Sequence, residues 1–311
     1  MNRILMFFLS LPLFYLLAGC QSDDDKRAAK PDIFNRGTIH ISCDETFKPV
    51  IDQEVLVYQS LYPGSNLVVH YKPEAECLKD FLVDSIRMVI ATRPPSEAEI
   101  AKVSDSFAIA LQTRRIARDL IAVIQHPSNP DSFYTLMDIR DLVSGNLKKD
   151  LIPVFDGTSA TSTVRFMLDS VLKDRALGKQ VVAAASTVGV IDYVSKTPNA
   201  VGFVGYSWIG NKDDTTQLAY QRKFRTAYLE STDSADAYVS PSQYFIYTKS
   251  YPMVRDLVCV LKEKHNGLGS AFLSFLSEMR GQLIFRRAYL APAIFPNYVR
   301  DARLQDTIGN Y

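Results

Sequence analysis

The stretch 155–165 (FDGTSATSTVR) sets five hydroxyl residues and a glycine between a buried-strand pattern and a helix start. That is the make-up of an oxyanion site. Free amides at a helix N-terminus point outward together with the positive end of the helix dipole, and serine and threonine hydroxyls add further donors. Thr158, Ser159, Thr161 and Ser162 are the candidate donors, and Arg165, one turn into the helix, is placed for a charge-assisted contact. A plain helix cap uses one hydroxyl, and the surplus is what points to a ligand. Residues 91–97 (ATRPPSE) repeat the layout of strand end, polar turn and capped helix, which adds Thr92 and Arg93. Residues 44–47 (DETF), with Thr46 and Phe47, form a third such loop. Ligands of parallel sheets bind beyond the carboxyl ends of the strands, so the three loops are expected to face one cleft.

Other chemistries lack their residues. There is no Gly-x-Ser-x-Gly elbow, no P-loop and no Gly-x-Gly-x-x-Gly, and His40, His70, His126 and His265 are scattered singly, without triad or zinc spacing. Asp44, Glu45 and Asp156 offer an acid and base pair, but nothing in their spacing sets them apart from solvated carboxylates. No catalytic residue, metal or cofactor is assigned, and the chain reads as a non-enzyme.

The elements that must hold these loops alternate. β-rich runs at 38–43, 66–71 and 88–91 are separated by helical spacing at 47–62 (Val50, Ile51, Val55, Leu56, Leu61) and 74–84, and Ser96 caps a helix at 97–103. This succession implies a mainly parallel sheet flanked by helices, an α/β fold. A second round starts with the strand 118–125 (RDLIAVIQ) and continues with a helix at 135–143, a strand at 152–155 and a helix at 162–173. A strand at 181–184, a helix at 187–195 and a strand at 200–206 follow. Strand character returns at 244–248, and 253–264 and 269–288 read as two helices.

Where such a body works is set by its first residues. Residues 1–19 carry a basic Arg3, an apolar run at 4–18 and small residues before Cys20, the layout of a cleavable signal peptide. The run is short of the about 20 residues a membrane span needs. Its end, Leu17-Ala18-Gly19-Cys20, resembles the lipobox of bacterial lipoproteins, which implies acylation of Cys20, palmitate included, and a membrane anchor through the lipid. Residues 20–36 are expected to be a disordered tether. Asp23, Asp24 and Asp25 resemble the acidic signal of lipoproteins that reach the outer surface, so periplasmic and surface-exposed placements both stay open.

Roughly 290 residues follow the signal, enough for two lobes. With Arg3 removed, Lys+Arg and Asp+Glu stand at 34 each, and so neutral a chain argues against a nucleic-acid partner. An apolar share of 47% and a charged share of 22% suit a soluble α/β protein. Cys43, Cys77 and Cys259 leave at least one thiol unpaired; a Cys43–Cys77 disulfide stays open, with buried free thiols favoured.

The loops and the closing helices together resemble the phosphate-type substrate-binding proteins of ABC transporters, which are type II periplasmic binding proteins. The resemblance runs over nearly the whole mature chain, through DETFKPV (44–50), IATRPPSEAE (90–99), DGTSATSTVR (156–165) and NAVGFVGYSWI (199–209). The stretch 267–293 is the most diagnostic for the fold, with Gly267, Phe272, Phe275, Leu276, Gly281, Gln282, Ile284 and Pro292. The resemblance implies two α/β lobes joined by two hinge crossovers, 37–117 with 241–311 as the first and 118–240 as the second, clamped on an oxyanion. Thr46 and Phe47 match the family's first-loop Thr-Phe pair, and Thr158, Ser159 and their neighbours match its Ser-Gly-Thr-Ser anion loop approximately. Two departures stand out. Arg93 occupies the place of a proton-accepting aspartate, and Val154 falls near the family's arginine, so sulfate or an organic phosphate suits this chain at least as well as inorganic phosphate. The implied partners are a small anionic solute and an ABC permease or sensor, with the receptor a monomer. A surface or interaction lipoprotein that keeps the fold without transport is the alternative.

Overall fold

A computed structural model describes residues 32–157 and 161–294. The signal segment, Cys20, most of the tether, and Thr158 and Ser159 lie outside the described residues.

The chain passes through β1 (Asp32–Ile33), β2 (Arg36–Asp44), α1 (Lys48–Leu61), β3 (Ser65–Lys72), α2 (Glu74–Lys79), β4 (Ile86–Ala91) and α3 (Glu97–Phe107). The long β5 (Gln112–Gln125) leads on to β6 (Phe133–Tyr134), α4 (Leu136–Ser144), β7 (Ile152–Phe155), α5 (Ser162–Phe166), β8 (Val182–Ala183), α6 (Thr187–Lys196) and β9 (Ala200–Gly205). Smaller elements follow: α7 (Thr215–Gln221), β10 (Arg225–Thr226), β11 (Tyr228–Glu230), β12 (Tyr238–Val239) and α8 (Gln243–Thr248). The described part closes with β13 (Val254–Leu261), α9 (Leu268–Ser277), α10 (Met279–Arg287) and β14 (Ala291–Pro292).

In the first lobe β2 pairs in parallel with β3 and β4, and β13 lies antiparallel between β4 and β5. In the second, β9 pairs in parallel with β7 and antiparallel with β5. The strand β5 belongs to both sheets: Gln112 to Leu120 pair with β13, and Ile121 to Gln125 pair with β9. Each lobe has its own core. Ile41, Phe47, Tyr58, Met88, Phe272 and Phe285 are buried together in the first, and Ile124, Phe155, Val190 and Phe203 in the second, where the Phe155 and Phe203 rings stack with centroids 4.6 Å apart. Ile246, Tyr251 and Met253 pack into the second core.

Local chemistry accounts for the element ends. Ser96 and Glu99 form a capping box on α3, and Thr135 and Asp138 form one on α4, which stops at Gly145 in the left-handed region (φ 84°). The α9 start, without a capping side chain of its own, is served from a distance. Asp32 Oδ2 accepts the Leu268 amide at 2.7 Å, and the Glu263 carboxylate accepts the amides of Gly269 at 3.2 Å and Ser270 at 2.9 Å. With His265 these two carboxylates make a cluster of metal-ligand types; Asp32 Oδ2 and both Glu263 oxygens already serve the helix start, Asp32 Oδ1 has no hydrogen-bond partner among the described residues, and both carboxylates lie within reach of Arg87.

Four readings of the sequence need correction. The tether expected to run to residue 36 does not reach that far, because Asp32–Ile33 pair with β2 as β1 and Asp32 is buried at the start of α9. The helix expected at 253–264 is the strand β13, whose apolar residues serve both faces of a central strand and so mimic helical spacing. The strand expected at 244–248 is the short helix α8: its aromatic content reads as β, yet it buries only Ile246 and leaves Tyr244 67% exposed. The helix expected at 269–288 is two helices, broken at the extended Glu278 (ψ 175°). Gly281 makes that corner possible, since a Cβ there would meet the Leu276 backbone at 2.8 Å. The thiols of Cys43, Cys77 and Cys259 are free and buried.

Candidate functional site

The loops after β2, β4, β7 and β9 meet between the lobes. Asp44 ends β2 and its Oδ1 accepts the Thr46 amide at 3.0 Å, which turns the chain so that Thr46 and Phe47 face inward, fully buried. From the second lobe Thr161 caps α5 by accepting the Val164 amide at 3.3 Å, presenting Ser162 to the same point. The Thr46 and Ser162 hydroxyls lie 3.3 Å apart across the cleft, and Ser207, just after β9, donates to the Thr46 carbonyl at 2.7 Å. Gly205 permits this approach: a Cβ on it would fall 2.5 Å from Thr46 Cγ2 and 2.8 Å from Arg255 Nη2.

Arg255 is the inner cation. It lies directly across the β13–β5 ladder from Asp119, donating to Asp119 Oδ2 through Nε at 3.1 Å and Nη2 at 2.8 Å. Its Nη1 donates to the Ser162 hydroxyl at 2.9 Å, and its guanidinium stacks 5.2 Å from the Phe47 ring centroid. Asp119 Oδ1 accepts the Ser207 amide at 3.3 Å. Both charged side chains are essentially out of solvent.

A second arginine bridges the lobes nearer the mouth. Arg165 on α5 donates through Nε to Glu74 Oε2 at 2.5 Å and through Nη2 to the Thr92 hydroxyl at 2.6 Å; Glu74 and Thr92 both belong to the first lobe. Thr92 in turn donates its amide at 2.7 Å and its hydroxyl at 2.5 Å to Glu74 Oε1. Asp169 meets the outer face of Arg165 at 3.1 Å. Glu74 is 1% exposed, so its carboxylate sits inside the clamp like a bound anion.

Inner acids titrate upward. Burial, then the charge of Glu74, push the Asp44 carboxyl up to about 7 against the pull of Arg255. Burial also raises Asp156, whose Oδ2 accepts the Thr187 hydroxyl at 3.4 Å, and Asp119, whose rise Arg255 limits. Burial alone would raise Glu74 as well, but the hydrogen bond and charge of Arg165 hold it below the usual range. Asp44 Oδ2 and Asp156 Oδ1 have no hydrogen-bond partner among the described residues. Below about pH 7 this asymmetry puts a hydrogen on Asp44 beside an ionised Glu74.

A family model described as the PBP superfamily domain matches residues 28–278. The chain belongs to the PBP superfamily. Among solved structures this PBP-superfamily chain is similar to a Clostridium perfringens protein assigned as a phosphate ABC transporter substrate-binding protein and solved with bound phosphate. The two share 20% identity and a TM-score of 0.68 over 83% of this chain and 100% of that one. It is also similar to an ABC-type phosphate transport receptor of Vibrio cholerae, at 14% identity and TM-score 0.62 over 82% and 100% of the two chains. PstS of Borrelia burgdorferi is a third, at 15% identity and TM-score 0.53 over 82% and 98%. At these identities the likeness is one of fold, the two-lobed type II periplasmic binding fold. No curated protein matches the sequence.

Within this PBP-superfamily fold the expected residues fall into two groups. Thr46, Phe47 and Ser162 gather around Arg255, with Thr161 as the cap behind them, whereas Thr92 and Arg165 form the outer clamp. Arg93 lies beside the clamp and is held by Glu99 through two bonds of 2.8 Å. Sequence reasoning missed Arg255, Asp119 and Glu74. The first two had a readable signal, an Arg-Asp dipeptide at the head of each of two apolar runs (VRDLVCVL and RDLIAVIQ), of which one charge per run turns inward once both are strands. Glu74 carried none, since an acidic residue in a first helical turn is ordinary.

Proposed function

We propose that the protein is an extracytoplasmic solute receptor, anchored through a lipid on Cys20, that captures a small phosphate-like oxyanion between its lobes for ABC-type import or sensing. The observation that carries this reading is the clamp in which Thr92 and Arg165, from opposite lobes, converge on one carboxylate. Donors that hold a carboxylate hold a phosphate or sulfate by the same charge-assisted contacts. A solute enters as Glu74 yields Arg165, and closure around it creates the state that a permease or sensor reads. Thr46, Phe47, Ser162 and Arg255 extend the site inward, with Thr158, Ser159 and Thr161 on the same loop and Arg93 at the rim. Solved relatives described as phosphate receptors support the ligand class. No helix among the described residues is long and apolar enough to cross a membrane, which fits an anchor made of lipid.

Titration calorimetry of the detergent-solubilised full-length protein with phosphate, sulfate and a sugar phosphate is expected to give saturable heat with at least one of them. Silence with all three would sink the reading. Arg165→Ala is expected to weaken the tightest of these ligands tenfold or more, about 1.4 kcal/mol; an unchanged affinity would move the site elsewhere. For the anchor, Cys20→Ser is expected to abolish palmitate labelling and release the protein from the membrane fraction, and continued membrane retention would require another anchor.

One observation favours a second reading, a surface or interaction lipoprotein that keeps the fold without transport. Each arginine of the cleft is already held by a carboxylate of the protein: Arg93 by Glu99, Arg165 by Glu74 and Arg255 by Asp119. Proteolysis of intact cells separates the two, since a transport receptor facing the periplasm is protected.

A further inference from the structure

Directly outside the Glu74–Arg165 clamp lies a cavity of about 410 Å³ between α2, α3 and the start of α5. It falls within the range of about 300–1,000 Å³ that suits small organic ligands. A bare tetrahedral oxyanion, with five heavy atoms, leaves most of it empty. Its walls are of two kinds. Ala75, Leu78, Phe81 and Leu82 give an apolar side, and Lys79, Arg93, Lys102 and Arg165 give a cationic side opposed by two acids, Glu74 and Glu99. Neither Lys79 nor Lys102 has an ion pair among the described residues, and both are exposed.

Deeper in, the charge balance reverses. Around Arg255 stand Asp44, Asp119 and Asp156, all buried and all acidic. Positive potential therefore lies at the mouth, beside apolar surface, whereas Arg255, the inner cation, is already neutralised by Asp119. An inorganic oxyanion gains nothing from the apolar wall; an anion with a hydrophobic body does.

We infer that the cavity is the organic half of the ligand site, and that the solute is an organic oxyanion of the phosphomonoester or phosphonate class. Its charged head replaces the Glu74 carboxylate at Thr92 and Arg165, and its apolar body lies against Leu78 and Leu82 under the two unpaired lysines. This rests on the oxyanion-capture reading above and narrows it to a substrate class.

Calorimetry of the full-length protein with phenyl phosphate and with inorganic phosphate tests it. Phenyl phosphate is expected to bind at least tenfold tighter than phosphate, and Leu82→Asp, a change at a residue 48% exposed, to cut that ratio tenfold or more. Phosphate binding as tightly as phenyl phosphate, or a ratio that survives Leu82→Asp, overturns the organic-ligand inference and leaves oxyanion capture standing. If neither ligand binds, the organic-ligand inference falls, and oxyanion capture falls with it only if sulfate and a sugar phosphate are silent too.

Discussion

Arg255→Met is expected to lower the unfolding free energy by about 3–5 kcal/mol, because it strands the Asp119 carboxylate in the interior. Asp119 is fully buried, and its remaining described partners are backbone amides, including Ser207 at 3.3 Å. Arg255 also holds the Ser162 hydroxyl, so the loss reaches into the second lobe. Replacing both partners, Arg255→Met with Asp119→Leu, removes the orphaned charge and is expected to recover much of the stability, since buried pairs barely outperform apolar residues of similar volume. Urea denaturation of the three proteins at pH 7 checks this. A loss below about 1 kcal/mol in the single variant would mean that water reaches the pair.

Asp44 gives the second large effect, and its sign is opposite to that of an ordinary salt-bridged acid. An unfolded aspartate titrates near 4, whereas the folded Asp44 titrates at about 7. Below about pH 4 both states carry the proton and the favourable contribution is complete. As pH rises, the unfolded chain loses its proton first, so stability falls by up to 1.36 kcal/mol per unit and levels off above about 7. Glu74, held below the usual carboxylate range by Arg165, contributes stability above its unfolded pKa and loses it on acidification. The wild type should therefore be most stable in mildly acidic solution. Asp44→Asn keeps an acceptor for the Thr46 amide and removes the titration. Its stability relative to wild type is expected to gain about 3 kcal/mol between pH 4 and pH 7. Parallel pH profiles for the two proteins would mean that Asp44 is ionised in the folded state.

How far the sequence discloses this protein depends on the distance over which each signal acts. The alternation of strands and helices in both halves, the cap at Ser96 and the helix start at 162 are local, and they appear in the structure close to where the pattern puts them. Thr46, Thr92, Ser162 and Arg165 could be named for the same reason, as strand-end and helix-start chemistry. What stayed hidden is non-local. Arg255 lies in β13, whose apolar spacing reads as a helix, and its partner Asp119 sits more than a hundred residues earlier. Glu74 becomes notable only once Arg165, brought from the other lobe, lies 2.5 Å away. The pairing of charges across the cleft is a property of the closed fold, and single-element patterns contain none of it.

The continuous β5 has a mechanical consequence. Its partner changes from β13 to β9 between Leu120 and Ile121, where the returning chain is fastened as well: the Ile121 amide donates to the Met253 carbonyl at 2.9 Å, and the Tyr251 hydroxyl donates to the Ile121 carbonyl at 3.1 Å. Both passages between the lobes are thus stitched into one short torsion bar, with Asp119 and Arg255 beside it. Opening the cleft means twisting this bar rather than swinging on a slack joint. A charge placed at the axle acts through a short lever and needs little displacement to turn both halves, whereas Glu74 and Arg165, far out on the rim, work as a clasp whose release is felt first at the edge.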